Sequence, residues 1–134
     1  MVGLAFAIIY AVMANINYLI QLVTVRASLL AGETEGLGLF VSENMHSIFW
    51  ALANSYAIQC LGLFFAAWAI EGGRPARSIR GLWIAVGATV PFQFAFSLGL
   101  IPMEIGLPVL GVWIVSIPLS AILLAALFRE RVPG

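Results

Sequence analysis

The chain carries one histidine, His46, and an acid, Glu43, stands three positions before it. On a helix that spacing puts both side chains on one side. This is the sequence's one acid–base constellation, and four chemistries fit it. It can be a solvated or capping pair, a proton-responsive switch, one axial ligand to a pigment or haem shared with a partner, or half of a metal site. A metal would need further ligands, and only Glu33, Glu35 and Glu104 are expected on the same side. No metal site is therefore expected, and the cofactor question stays open. The lone Cys60 cannot form an internal disulfide and reads as a small buried hydrophobe. No nucleophile–base pair, metal cage or phosphate-cradling loop is legible, so no catalysis is expected.

The remaining chemistry lies in amides and hydroxyls at helical spacing. Tyr10, Asn17, Gln21 and Thr24 recur at seven, four and three positions and fall on one helix face. On the opposite seam Gly3, Ala7 and Ala11 place small residues every fourth position, which permits close helix approach. His46, Trp50 and Asn54 step by four, with Glu43 and Ser47 beside them. Ser55 and Gln59, then Thr89, Gln93 and Ser97, then Ser116 and Ser120 repeat the step.

The elements that hold these groups follow from composition. The 134 residues are 63% hydrophobic and 9% charged, with a mean hydropathy of +1.08. A soluble domain carries about 25% charged residues, so a water-facing globule and a disordered chain are both excluded. There is no Lys, and six Arg balance six Glu. Such a chain has no electrostatic footprint for nucleic acid. Residues 1–25, 48–70, 81–103 and 109–128 contain no charge at all. Roughly 20 apolar residues cross a ~30 Å hydrocarbon core as a helix. The fold class expected is an all-α integral membrane protein, one domain over residues 1–134, with four transmembrane helices bundled at about 1–25, 46–70, 81–103 and 109–128. The first run has no basic leader and exceeds a signal peptide's apolar stretch, so it reads as a retained helix. It starts abruptly, and a longer natural N-terminus is expected.

Local chemistry suggests the boundaries. Asn44 is a candidate cap for the second helix. Glu71-Gly72-Gly73 should end that helix, with Pro75 opposing a restart. Pro102 and Pro108 should bracket a turn around Glu104. Between Ala27 and Glu43 three glycines alternate with apolar residues, which predicts an interfacial helix or a folded loop.

The run Asn17-Tyr18-Leu19-Ile20-Gln21-Leu22-Val23-Thr24-Val25-Arg26 resembles a motif in a family of small, functionally uncharacterised bacterial multi-span membrane proteins. In that family an Asn-Tyr-x-x-Gln-Leu-x-x-x-Arg segment ends an early helix. A Leu-Leu-x-Gly-Glu-x-Glu-Gly-Leu stretch follows, here Leu29 to Leu37, and then an Asn-x-His start to the next helix, here Asn44-Met45-His46. The family has Pro where this chain has Met45. The likeness covers roughly residues 15–70. It implies a bacterial multi-span protein and supplies no activity.

Five of the six arginines, Arg74, Arg77, Arg80, Arg129 and Arg131, fall on one side of a four-span chain. The positive-inside rule makes that side cytoplasmic, with both termini there. The expected location is the bacterial plasma (inner) membrane. The same five arginines are candidates for contact with anionic lipid headgroups. Trp68 and Trp83 should mark the inner interface and Trp113 the outer one, with Trp50 somewhat deeper.

Depth then sorts the polar groups. Gln59 and Gln93 fall near the midplane; Asn17, Gln21, Asn54 and Ser97 fall in the outer half. The sequence thus predicts either interhelical hydrogen bonding or an outward-facing pocket lined by these six, with Glu43, His46, Arg26 and Glu104 at its mouth. Pro91 and Pro118 free the carbonyls of Gly87 and Ile114 and can kink their helices. No span holds a carboxylate or Arg, which opposes a proton-coupled transporter. The expected function is a non-enzymatic module of the bilayer that binds a partner subunit, a second copy or an apolar ligand. The alternative is a channel or facilitator for a small neutral solute through the polar pocket.

Overall fold

A computed structural model describes residues 1–44 and 46–131, with the side chains of Met103, Leu107, Leu110, Glu130 and Arg131 outside the description. Met45 of the Asn-x-His segment therefore lies outside the described residues, as does the side chain of Arg131. Four helices are long and apolar enough to cross a membrane. They are α1 (Val2–Ala31), α2 (Ile48–Ala67), α3 (Arg74–Ser97) and α4 (Met103–Arg131). No strand occurs among the described residues.

The four helices pack in chain order. α1 lies along α2, α2 along α3 and α3 along α4, with a lighter contact between α2 and α4. α1 has at most glancing contact with the last two helices. The bundle is thus a three-helix core with α1 laid against one side. One end carries Arg74, Arg77, Arg80 and Arg129; the other carries the 32–47 loop and His46.

The α1–α2 seam corrects the expectation of a polar face opposite a small-residue face. Over residues 2–20 the half-buried or buried positions of α1 are Gly3, Phe6, Tyr10, Met13, Ala14, Asn17 and Ile20. Steps of three and four make a heptad, so Gly3, Tyr10 and Asn17 share one seam. At its start the backbones nearly touch. A Cβ on Gly3 would lie 2.9 Å from the Gly62 carbonyl oxygen, so only glycine allows this approach. Ala7 and Ala11 point outward.

Beyond Leu19 the helix widens into a π-helical stretch, Ile20–Val25, before resuming α geometry at Arg26–Ala31. Each π turn takes more residues than an α turn, so the face slips. Thr24, placed with Asn17 by an unbroken α period, is exposed, and Val25 is buried instead. The first helix therefore runs on past residue 25.

Four further boundaries differ from the sequence reading. α2 begins at Ile48, because Asn44 is used inside the loop: its Oδ1 accepts the His46 N–H at 3.0 Å and its Nδ2 donates to the Gly38 carbonyl at 2.8 Å. α3 starts at Arg74 and takes in the arginine cluster. Pro75 opens that helix because its missing N–H is one no first turn can use. α3 ends at Ser97, sealed by Gly99 at φ 71° and a Leu100 N–H to Ala95 carbonyl bond of 2.9 Å. The fourth helix starts at Met103, so Pro108 sits inside it and only Pro102 stands before it.

Two apolar clusters fill the core. Ala67, Ala76, Ile79, Trp83 and Leu127 close the arginine end. Ala57, Cys60, Val86 and Val90 fill the middle. Trp83 is buried here and donates from Nε1 to Ser120 Oγ at 2.8 Å, so it is an interhelical anchor and leaves the interfacial role to Trp68. The outer surfaces are apolar throughout: Leu22 is 65% exposed, Val115 69% and Ile122 66%. Apolar exposure on this scale suits a hydrocarbon surround and would be an aggregation site in water.

Candidate functional site at the His46 end

The cavity assembles where α2 and α3 diverge. α2 is interrupted at Asn54, between Ile48–Ala53 and Ser55–Ala67. The cause is local: Asn54 Nδ2 reaches back to the Trp50 and Ala51 carbonyls at 3.4 and 3.3 Å, competing with the helical ladder. Facing it, Ser97 ends α3. The Ser97 hydroxyl lies within hydrogen-bond reach of Asn54 Oδ1 and, at 3.0 Å, of the Gln93 carbonyl. Its single proton serves one of these acceptors at a time.

Above this cross-link opens a cavity of about 250 Å³. His46, Ser47, Trp50, Ala51, Asn54, Phe96 and Ser97 line it. A smaller hollow of about 110 Å³ continues past His46 and Phe96 to Gly99. The rings of Trp50 and Phe96 meet edge to face at 6.2 Å and form the aromatic wall. The Trp50 indole is fixed by its Nε1 donating to the Ser42 carbonyl at 2.8 Å. Ser47 is 2% exposed, and among the described residues its Oγ has no hydrogen-bond partner. A buried hydroxyl left unpaired costs about 1–3 kcal/mol. Ser47 therefore stands in the cavity wall with unsatisfied hydrogen-bonding capacity, its Oγ itself exposing almost no surface.

Of the six residues expected to line a pocket, Asn54 and Ser97 line this cavity, and so does His46. The other four are placed elsewhere. Asn17 is buried in the α1–α2 seam, donating to the Phe49 carbonyl at 3.5 Å. Gln21 clips the loop by donating to the Phe40 carbonyl at 2.7 Å. Gln93, 1% exposed, donates to Thr89 Oγ1 at 2.7 Å and to Cys60 Sγ at 3.5 Å. Gln59 is partly buried on α2. Interhelical bonding thus uses much of the polar set. Even so, Asn17 Oδ1, Gln59 Oε1 and Gln93 Oε1 are buried without partners among the described residues.

Glu43, Arg26 and Glu104 are exposed, and none lines the cavity. Among the described residues no ion pair joins Glu43 to His46 or Arg26 to either acid. Glu43 and His46 lie in turns before α2, so the shared helix face that would have brought them together is missing. No group of three or more His, Cys, Asp or Glu that could hold a metal occurs among the described residues.

The feature that sequence reasoning missed is a second hollow beside the first. A groove of about 240 Å³ is lined by Phe49, Trp50, Ala53, Tyr56, Ser97, Gly111, Trp113 and Ile114. Tyr56 and Trp113 stack across α2 and α4 at 4.4 Å and 8°. The Tyr56 hydroxyl also meets the Tyr18 hydroxyl of α1 at 3.1 Å. The seven-residue step from Phe49 to Tyr56 was a usable signal for this aromatic face.

At the opposite end Arg74 and Arg77 flank a shallow hollow with Ser78. The Arg80 guanidinium lies over the Trp68 ring, 4.8 Å from its centroid. Arg129 is exposed at the end of α4. No protein-family model, curated protein or solved structure matches this chain.

Proposed function

We propose that this protein is a multi-pass membrane protein that binds a small neutral ligand in the cavity between α2 and α3 and performs no chemistry on it. The observation that carries this reading is the Ser47 hydroxyl, buried, unpartnered and set in the wall of a roomy cavity. Neutrality follows from the wall itself. It holds hydroxyls, an amide, two aromatic rings and one imidazole, and no Arg or Glu. A cation taken out of water would lack a counter-charge there, and an anion would meet only the single His46 imidazole. The facilitator alternative has less support, since Ala57, Cys60, Val86 and Val90 pack the helix interface below the amide layer.

The same reading sets the protein in a bacterial inner membrane with both termini and the arginine end in the cytoplasm. The gathering of Arg74, Arg77, Arg80 and Arg129 at one end supports this orientation. The cavity then faces outward, and the arginines meet anionic headgroups.

Mass spectrometry of the intact protein released from mild detergent tests the binding role. The wild type should carry a small co-purifying molecule that Ala51→Trp, which fills the cavity, has lost. The same bound species in both proteins, or none in either, would remove the proposal.

A further inference from the structure

The cavity and the aromatic groove share two wall residues, Trp50 and Ser97. Their characters differ. The cavity presents the Ser47, Asn54 and Ser97 polar groups. The groove presents a stacked Tyr56–Trp113 pair and Ile114, which is 60% exposed on the flank that meets hydrocarbon. A water-soluble ligand would have no use for such a flank, and a purely apolar one would leave Ser47 Oγ unpaired.

We infer that the two hollows form one site for an amphipathic molecule: a neutral, oxygen-bearing head in the cavity and an apolar tail leaving past Trp50 through the groove into the bilayer. This rests on the binding role proposed above and names its ligand class. The exposed His46 imidazole N–H, and the Ser47 hydroxyl if it turns into the cavity, call for an acceptor in the head, hence a carbonyl or ether oxygen. It also profits from a hydroxyl, because the Ser97 oxygen has lone pairs free to accept one. Two kinds of membrane molecule share this chemistry: a quinone or quinol on an isoprenoid chain, and a neutral glycerolipid. Entry is lateral. The groove lies between α2 and α4, which touch only lightly, with the α1 tyrosines bordering it at Tyr56.

Two probes separate this from the broader reading. One is a benzoquinone bearing a decyl tail; the other is the same head without the tail. Both are titrated into the purified full chain, and the quenching of tryptophan fluorescence is followed. The tailed probe should bind about tenfold tighter or more, the worth of roughly two buried methylenes. Ala53→Phe, which fills the groove away from the polar cavity, should abolish that margin and leave the tailless affinity unchanged. A circular-dichroism melt of the variant confirms that it folds. Equal affinity of the two probes for the wild type, or a margin that survives in Ala53→Phe, overturns the inference and leaves the cavity proposal standing. Failure of both probes and of monodecanoylglycerol to bind overturns the inference, and the cavity proposal falls with it only if no species co-purifies with the wild type. Competition by monodecanoylglycerol at equal potency identifies the glycerolipid source, and its failure to compete identifies the quinone.

Discussion

Ser97 on α3 donates to Asn54 Oδ1 on α2, one strut between the two helices at the base of the cavity. Its two members are unequal. Ser97 has a second acceptor in the Gln93 carbonyl, 3.0 Å away. Among the described residues Asn54 Oδ1 has no other donor.

That asymmetry gives a prediction. Ser97→Ala orphans the Asn54 oxygen, whereas Asn54→Leu leaves the Ser97 hydroxyl satisfied. Interhelical bonds of this kind average about 0.6 kcal/mol and reach ~1.7. Ser97→Ala should sit near the upper value, and Asn54→Leu should cost less in the strut itself. Unfolding measured in mixed micelles, with the double variant completing the cycle, reads the coupling. A coupling energy of zero would show that the strut does not form.

Gly81 and Gly87 lie on the same helix and should respond to alanine with opposite signs. Nothing lies within 4 Å of a Cβ at Gly81, so Gly81→Ala should gain up to about 1 kcal/mol of helix propensity. A Cβ at Gly87 would stand 2.4 Å from Phe64 Cβ, an atom tied to the α2 backbone. Gly87→Ala should destabilise by about 1–3 kcal/mol. Thermal melts of the two variants make the comparison, and the same sign for both would contradict the α2–α3 packing.

The four helices were legible because charge-free runs of this length have one solution in lipid, where every backbone group must be satisfied internally. The interruptions were less so. Thr24 left its expected face because a π stretch depends on how α1 seats on its neighbours, which periodicity does not encode. Pro75 was read as a barrier when its position made it a helix start. Asn54, Ser97 and His46 were found by spacing and depth, since hydrocarbon leaves few places for polar groups. The aromatic groove was missed because Trp113 comes from α4, and only tertiary packing brings it onto Tyr56.

Gln93 separates bonding from burial. Its amide nitrogen has two partners, yet its Oε1 has none in a site only 1% exposed. Gln93→Leu gives up the nitrogen's bonds and also removes the unpaired oxygen. The two effects oppose, so stability should stay within about 1 kcal/mol of the wild type. A loss well above 2 kcal/mol in a chemical denaturation series would mean that the oxygen has a partner the packing does not reveal.

Orientation can be read with one cysteine at a time. Cys60 is 1% exposed and should be silent to an impermeant maleimide. Glu35→Cys, in the exposed loop, should label from outside intact cells, and Ser78→Cys, among the arginines, should label only after lysis. The reverse pattern would invert the topology and turn the cavity toward the cytoplasm.

The central claim is that the cavity beside Ser47 is occupied in the working protein. An experimental density map of the protein in lipid nanodiscs at side-chain resolution tests it most directly. The account predicts non-protein density between Ser47 Oγ and the Asn54–Ser97 strut, extending past Trp50 toward Trp113. A cavity collapsed onto its own walls, with Ser47 Oγ bonded to another protein group, would contradict it.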